Sequence, residues 1–224
     1  MPVVVIPSGA RGFDANAVID AEGARAFFER GYRFAVRYVP RVQSRPNDLS
    51  AAEIQDLTDA GLAVMPVQHV ESESSWVPSG AKGARYGDTA AAACREVGLP
   101  HGVTVWCDLE GVKAGTSHAV VIRHCNAWFD SVRAAGYQPG LYVGWHSGLT
   151  SDELYHKLRF ERYWAAYNLN ADQEPAVRGV QMRQHAATHA DVPAGILFEI
   201  DTDTVRADHL GALPTAFAAD GWAP

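Results

Sequence analysis

The sequence is poor in features that mark several common classes of protein. It has three cysteines in 224 residues and no C-x-x-C spacing, so buried free thiols are expected and a disulfide framework is not indicated. Its 19 Lys and Arg residues form no cluster and are outnumbered by 26 Asp and Glu residues, which argues against binding to a nucleic acid backbone. No apolar stretch is long enough to cross a bilayer, and the first residues lack the basic region and apolar core of a signal peptide. We therefore expect no nucleic acid partner, no membrane span and no signal peptide in this chain, which leaves its location open.

The remaining composition is that of a globular protein. Apolar residues make up 47% of the chain, and nothing divides it into two compositionally distinct halves, so one domain over residues 1–224 is predicted. Hydrophobic patterns predict strands at 10–14, 32–39, 62–70, 102–110, 138–145, 162–168, 179–185 and 196–201. They predict helices at 18–30, from a Ser50 cap to 60, and at 88–97, 116–135 and 151–159, with a long irregular segment at 71–87. Five strand-helix units followed by three strands without regular outer helices favour a closed TIM-like α/β barrel.

The strand at 102–110 ends in Asp108-Leu109-Glu110. Because side chains alternate along a strand, Asp108 and Glu110 share one face, with their Cβ atoms roughly 6.5 to 7 Å apart. An isolated D-x-E more often ends a strand in a solvated acidic turn. Acids also stand at the predicted ends of other strands, however: Asp14 at the first, and Asp201, followed by Asp203, at the eighth. Barrel active sites lie at the C-terminal ends of the strands, so these positions predict a site there.

Several segments together resemble the glycoside-hydrolase-like domain of many actinobacterial proteins, the DUF1906 or Rv2525c-like family, which is similar to the family 25 lysozymes. The matching pieces extend through the chain: Gly-Phe-Asp at 12–14, Gly-Tyr-Arg-Phe-Ala-Val-Arg-Tyr at 31–38, Leu-Ser-Ala-Ala-Glu at 49–53, Ala-Gly-Leu at 60–62 with Pro-Val-Gln at 66–68, Gly-Leu-Pro at 98–100, Trp-Cys-Asp-Leu-Glu at 106–110, Gly-Leu-Tyr-Val at 140–143, Trp-Ala-Ala-Tyr at 164–167 and Glu-Ile-Asp at 199–201. The resemblance implies a barrel of eight strands and five helices, with Asp14, Asp108, Glu110 and Asp201 lining the cleft. It also implies that Glu110 is a proton donor, and it suggests a secreted or cell-envelope role.

The acids lead to a first hypothesis, a glycosidase that hydrolyses bacterial cell-wall glycan such as peptidoglycan. Paired carboxyl groups can supply a general acid and an ionised partner. Glu110, one methylene longer than Asp108, is expected to be the acid, with its pKa raised by Asp108 and by burial near Trp106. Asp108 is expected to stay ionised and to stabilise either an oxocarbenium-like centre or the nitrogen of a substrate acetamido group. Asp14 and Asp201 are expected to orient hydroxyls or water, with Asp203 competing for the role on strand eight. Retention and inversion both stay open, and no cofactor is expected.

Further side chains near strand ends are candidates for substrate binding. Aromatic rings there could stack on sugars, although barrel strands also need aromatics for their core, and two amides could bond sugar hydroxyls. These candidates are Tyr38, Trp76, Tyr142, Trp145, Tyr167, Gln68 and Gln184. Trp76 lies among Ser, Glu and Gly and is predicted to be an exposed ring on a loop. His185 and His189 have the spacing of a metal pair on one helical turn, but they fall in a predicted loop, so no metal site is expected.

A second hypothesis comes from a different class. The same acids and aromatics predict a glycan-binding module that has the cleft but little or no turnover, because a fold does not guarantee activity.

Overall fold

The computed structural model describes residues 2–177, 179–207, 209 and 212–224. Its strands are β1 (Val3–Val5), β2 (Arg11–Ala15), β3 (Phe34–Val39), β4 (Ala63–Gln68), β5 (Thr104–Leu109), β6 (Gln138–Val143), β7 (Tyr163–Ala165), β8 (Met182–Ala186), β9 (Asp201–Val205) and β10 (Thr215–Phe217). Its helices are α1 (Ala21–Glu29), α2 (Ala51–Asp59), α3 (Gly80–Glu96), α4 (His118–Ala134) and α5 (Ser151–His156). Within the described ranges, no helix is long and apolar enough to cross a membrane.

Strands β2 to β9 form a closed barrel. Each strand from β2 to β7 pairs in parallel with the next, while β9 is antiparallel to both β8 and β2 and completes the ring. The five helices follow β2 to β6, and no described helix separates β7, β8 and β9. This confirms the predicted α/β barrel of five strand-helix units followed by three strands.

Two strands that the sequence did not predict close the base of the barrel. Strand β1 pairs antiparallel with β10, and β10 pairs with the beginning of β4 through Phe217 and Val64. The chain just after β1 contributes Ile6, and β10 contributes Ala216, to the same buried cluster as Phe34 and Ala63. The two ends of the chain therefore cover the end of the barrel at which its parallel strands begin.

The interior of the barrel is filled by large rings opposite glycines. A Cβ atom on Gly12 would lie 2.1 Å from the ring of Phe34 on the neighbouring strand, and one on Gly140 would lie 2.3 Å from the ring of Trp106. Side chains at these two positions would compete with the rings for the same space, so the glycines allow the interior to be packed without voids. A second apolar layer lies between the strands and the helices, where Phe13 stacks on Phe27 of α1 at 3.8 Å.

Helix α3 begins eight residues earlier than predicted, at Gly80 instead of 88, with Ser79 as its N-cap. The Gly-rich run had suggested a loop because glycine disfavours helix. In the structure, Cβ atoms on Gly83 and Gly87 would lie 2.1 Å and 2.7 Å from backbone oxygens of α4. The glycines therefore allow the two helices to approach closely, and this contact compensates for their low helix propensity. The irregular segment predicted at 71–87 ends before α3.

The last barrel strand was predicted at 196–201 and lies at Asp201–Val205. Asp201 thus begins β9 and does not end it. Because β9 runs antiparallel to β2, with Asp201 paired to Asp14, its first residue lies at the same mouth as the C-terminal ends of the parallel strands. The expected position of Asp201 at the mouth is correct, although the strand boundaries were wrong.

A buried ion pair fixes two of the loops at this mouth. Arg37 Nε donates to Glu53 Oε1 at 2.6 Å, and the same oxygen accepts the backbone N–H of Ile19 at 2.9 Å. Arg37 also donates to the carbonyl of Ala15, the last residue of β2, and to that of Asn47 in the loop after β3. Ser50 caps α2 as predicted, but Glu53 uses its carboxylate for Arg37 and Ile19.

All three cysteines are free and buried, as the sequence predicted.

Candidate active site

Four acids from three parts of the chain meet at the open mouth of the barrel. Asp14 from β2, Asp108 from β5, Glu110 just after β5 and Asp201 from β9 all line one cleft of about 1660 Å³. The alternation along β5 places Asp108 and Glu110 on the inner side, as the sequence predicted. Asp108 Oδ1 is buried and has no hydrogen-bond partner within the described part of the chain, so a ligand hydroxyl or amide could bond to it.

Beneath the open mouth, hydrogen bonds from neighbouring side chains orient Asp14. The hydroxyl of Tyr142 donates to Gln184 Oε1 at 2.9 Å, and Gln184 Nε2 donates to Asp14 Oδ2 at 2.9 Å. Asp203 is buried beside them, and Trp164 Nε1 donates to its Oδ1 at 2.8 Å. Of the two acids on β9, Asp201 therefore faces the cleft, while Asp203 lies beneath it.

The pKa values of two acids that line the cleft, Glu110 and Asp14, are raised. Burial raises the pKa of Glu110 to about 7, and the nearby charge of Glu73 adds to the effect. Burial also raises the pKa of Asp14 to about 7 against the opposing hydrogen bond from Gln184, and Asp201 and Glu110 raise it further. Both carboxyl groups can therefore hold or release a proton near neutral pH.

The deeper acids hold their protons more strongly. Burial, followed by the charges of Glu110, Glu73 and Asp14, raises the pKa of Asp108 well above its ordinary value. Burial and the charge of Asp14 do the same for Asp203. Several acids in one poorly solvated site cannot all carry charge, so these shifts work against the expectation that Asp108 stays ionised.

A loop between β4 and α3 supplies an acid that sequence analysis did not identify. Glu73 lines the cleft and raises the pKa of both Glu110 and Asp108. Its backbone crosses Gly111 so closely that a Cβ atom there would lie 2.4 Å from the carbonyl carbon of Glu73, and Gly111 has φ of 63°. Only a glycine fits this crossing. The position of Gly111 after the D-x-E was a signal of such an approach.

Trp76 anchors the same loop, and its predicted exposure is wrong. The ring is 5% exposed, packs edge-on against His124, and donates from Nε1 to the carbonyl of Glu110 at 2.6 Å. The backbone of Trp76 also bonds to Gly111 and Lys113. Trp76 therefore holds the loop beside the acids and does not present a surface for sugar stacking.

The other predicted binding residues divide into two groups. Tyr38, Tyr142, Tyr167 and Gln184 line the cleft. Gln68 does not: it is buried between the barrel and the helices, where it donates to the carbonyls of Pro40 and Tyr86 and accepts from Trp128 Nε1. Trp145 is 44% exposed but lies outside the cleft lining and packs against His146. Gln68 faces outward because its neighbour Val67 faces the barrel interior.

The two histidines with metal-pair spacing, His185 and His189, belong to different parts of the structure. His185 belongs to β8, and His189 lies on the cleft wall. Among the described residues, no three His, Cys, Asp or Glu side chains are grouped in a way that could hold a metal ion.

Solved structures with the same fold include several proteins linked to cell walls or secretion. An uncharacterised protein of B. stearothermophilus is 19% identical with a TM-score of 0.62, and the match covers 88% of this chain and 96% of that chain. The Tat-secreted protein Rv2525c of Mycobacterium tuberculosis, solved with L-tartrate, is 16% identical with a TM-score of 0.64 over 88% of this chain and 96% of that chain. A lysozyme from Streptomyces coelicolor is 15% identical with a TM-score of 0.59 over 92% of this chain and 95% of that chain. At these identities the likeness shows the fold alone.

The barrel and its acidic mouth define a glycoside hydrolase-like protein that is structurally similar to lysozymes. The family model described as the Rv2525c-like, glycoside hydrolase-like domain matches residues 25–205. The chain belongs to this family. A search of curated proteins found no match to the chain.

Proposed function

We propose that this protein hydrolyses glycosidic bonds of a bacterial cell-wall glycan, as a muramidase does, with Glu110 as the general acid. The observation that carries the proposal is the meeting of Asp14, Asp108, Glu110 and Asp201 in one open cleft. Structural similarity to a lysozyme supports the choice of glycan.

Glu110 has the properties that a general acid needs. Its carboxyl group lines the cleft, and a pKa of about 7 leaves a large fraction protonated at neutral pH. In the proposed step, the Glu110 proton moves to the glycosidic oxygen as the bond between that oxygen and the sugar carbon breaks. The electron pair of the bond stays with the oxygen, and positive charge develops on the sugar ring.

Asp108 stabilises that positive charge in the proposal. Burial and the neighbouring acids raise its pKa, which disfavours the ionised form before a sugar binds. The step therefore starts from molecules in which Asp108 has already given its proton to water, and positive charge that develops on the sugar beside the carboxylate favours this ionised form. Asp14, held by Gln184, and Asp201 would orient the sugar hydroxyls or the attacking water.

The cleft also contains surfaces suited to a sugar chain. Tyr167 is 52% exposed on the cleft wall, and Tyr38 and Tyr142 lie nearer the acids. Faces of aromatic rings pack well against the apolar faces of sugars. These three rings are the proposed stacking positions.

The test is clearing of purified bacterial cell walls, followed by turbidity and by the release of reducing ends. Glu110→Gln keeps the size of the side chain but removes the acidic proton, so the rate should fall by about 10² to 10⁴. The control is Glu96→Gln, an exposed acid at the end of α3, which should clear walls at the wild-type rate. Equal rates for Glu110→Gln and the wild type would remove Glu110 from the mechanism.

The raised pKa of Asp108 favours a second candidate, a glycan-binding module with little turnover. A protonated Asp108 can donate a hydrogen bond to a sugar, but it carries no negative charge to stabilise a positively charged sugar ring. Sedimentation separates the two candidates. A binding module would sediment with cell walls and leave their turbidity unchanged, whereas a hydrolase would clear them.

A further inference from the structure

One wall of the acidic cleft carries an arginine whose guanidinium is not neutralised by an acid. Arg30 and Arg45 both line the cleft, and Arg30 donates to the backbone carbonyl of Ala190. Arg45 is exposed, and within the described ranges no carboxylate oxygen lies within 4.0 Å of its guanidinium. A cation left unpaired in a cleft rich in acids is available to a ligand.

The guanidinium of Arg45 contacts one buried side chain, His69, and the backbone of Arg45 is held by another, Asp48. Arg45 Nη1 lies 3.4 Å from His69 Nδ1, and His69 Nε2 lies 2.7 Å from Asp48 Oδ1. The other oxygen of Asp48 accepts the backbone N–H of Arg45 at 2.7 Å, which closes a ring of three residues. This arrangement assigns a neutral His69 that donates from Nε2 and accepts at Nδ1, since a protonated ring would present a donor to Arg45.

The ring of three residues is attached rigidly to the barrel. His69 follows β4, and its backbone N–H donates to Val39; Leu49, next to Asp48, donates to the carbonyl of Tyr38. The imidazole also stacks on Tyr38, with ring centroids 4.6 Å apart. Burial raises the pKa of Tyr38, and the charges of Asp14, Asp108 and Glu110, which lie close to it, add to the effect. Arg45 is therefore positioned on a fixed wall that leads to the proposed catalytic acids.

The chemistry of the wall indicates what it would bind. A guanidinium presents parallel N–H donors that match a carboxylate in two-point contact, and fixing the side chain beforehand reduces the entropy lost on binding. Neutral sugar hydroxyls do not require such a group. We propose that Arg45, positioned by His69 and Asp48, is a subsite for a carboxylate-bearing substituent of the glycan. This rests on the proposed function, because it assumes that a glycan occupies the cleft.

The test compares binding of three tetrasaccharides to the Glu110→Gln protein by calorimetry. One probe alternates N-acetylglucosamine and N-acetylmuramic acid with free lactyl carboxylates, the second is its methyl amide, and the third carries stem peptides on those carboxylates. We expect the free acid to bind at least about 10-fold more tightly than the amide, as a charge-assisted pair implies. Tight binding of the peptide-bearing probe relative to the amide would assign the subsite to a peptide carboxylate.

Variants of Arg45 connect the preference to the guanidinium. Added to Glu110→Gln, Arg45→Gln should abolish the preference for acid over amide, and Arg45→Lys should retain only part of it, because lysine keeps the charge but loses the fork. Arg95→Gln, which removes an exposed arginine at the far end of α3, is the matched control and should leave the preference unchanged.

The two proposals fail separately. If neither carboxylate-bearing probe is preferred over the amide, or if Arg45→Gln keeps the preference, the subsite is disproved even when the wild type clears cell walls. If the preference depends on Arg45 but the wild type clears no wall, the subsite stands and hydrolysis fails.

Discussion

The proton affinity of Glu110 depends on a residue from a different loop. Glu73 is the neighbour whose charge raises the pKa of Glu110, in addition to burial. Removing that charge with Glu73→Gln should lower the pKa of Glu110. Because a general acid acts in its protonated form, the high-pH limb of the kcat/KM profile should then move to lower pH. The profile measured from pH 4 to 9 checks this.

The control for that experiment removes a different charge from the same cleft. Glu199 lines the cleft and affects the pKa of Asp201, but it is not among the groups that shift Glu110. Glu199→Gln should leave the high-pH limb in place. A profile that is identical in Glu73→Gln and the wild type would show that Glu73 does not act on the group that limits the rate.

Gly144 fixes where the carboxyl group of Glu110 can lie. A Cβ atom at position 144 would lie 2.4 Å from Glu110 Oε2 and 2.6 Å from Glu110 Cβ, so both the end and the stem of the side chain would have to move. Gly144→Ala should therefore reduce kcat by at least about 10-fold, since small misplacements of catalytic groups are costly. Circular dichroism and kcat are the measurements.

Gly80→Ala is the control for Gly144→Ala. Gly80 has open space around it, with the nearest atoms 3.9 Å from a Cβ, so Gly80→Ala should keep full activity. An unchanged kcat in Gly144→Ala would mean that the position of Glu110 at this contact is not needed for the reaction.

Sequence alone placed Asp108 and Glu110 together, but it did not identify Glu73 or the partners of other side chains. Alternation along β5 was enough to place Asp108 and Glu110 on one face, because a strand has only two faces. The hydrogen-bond partners of Gln68 and Trp76 are Trp128, the carbonyl of Tyr86 and the carbonyl of Glu110, which lie far away in sequence. Hydropathy does not encode such long-range partners.

At the scale of elements, the loop at 71–76 acts as part of the site because Trp76 ties it to β5. Trp76→Phe keeps most of the packing and removes the N–H that donates to Glu110. We expect the free energy of unfolding to fall by about 0.5 to 1.5 kcal/mol, the usual net contribution of one hydrogen bond. Urea denaturation measures it. Trp145→Phe, at an exposed ring, is the control and should change stability by less; equal losses would contradict the anchoring role.

Element boundaries failed where packing overrode local preference. The first half of α3 contains three glycines, which is typical of a loop, yet Gly83 and Gly87 allow contact with the backbone of α4. Strand β9 was misplaced because it runs antiparallel to β2, so its first residue, Asp201, lies at the mouth. In a parallel strand, the last residue would lie there. Neither wrong boundary affected the predicted fold class, because the class follows from the order of helices and strands alone.

At the scale of the whole molecule, we propose that residues 1–224 fold as one domain. Ile6 is fully buried among residues of the barrel interior, so the ends of the chain are packed with its centre. Ile6→Ala should lower the free energy of unfolding by about 2 to 5 kcal/mol, as expected for a truncated core residue. Fluorescence and circular dichroism should still report one coincident transition.

The neighbouring residue, Val5, provides the control for Ile6→Ala. Val5 is 56% exposed, so Val5→Ala should change stability by much less than Ile6→Ala. Two separate transitions in the wild type would contradict a single cooperative domain.

The central claim is that the acids at the mouth of the barrel meet the scissile bond of a glycan. The most direct measurement is a crystal structure of the Glu110→Gln protein with a bound cell-wall oligosaccharide. We predict that the side chain at position 110 lies within hydrogen-bonding distance of a glycosidic oxygen, with Asp108 beneath the adjoining sugar ring. An oligosaccharide bound elsewhere on the protein, with the acids at the mouth untouched, would contradict the account.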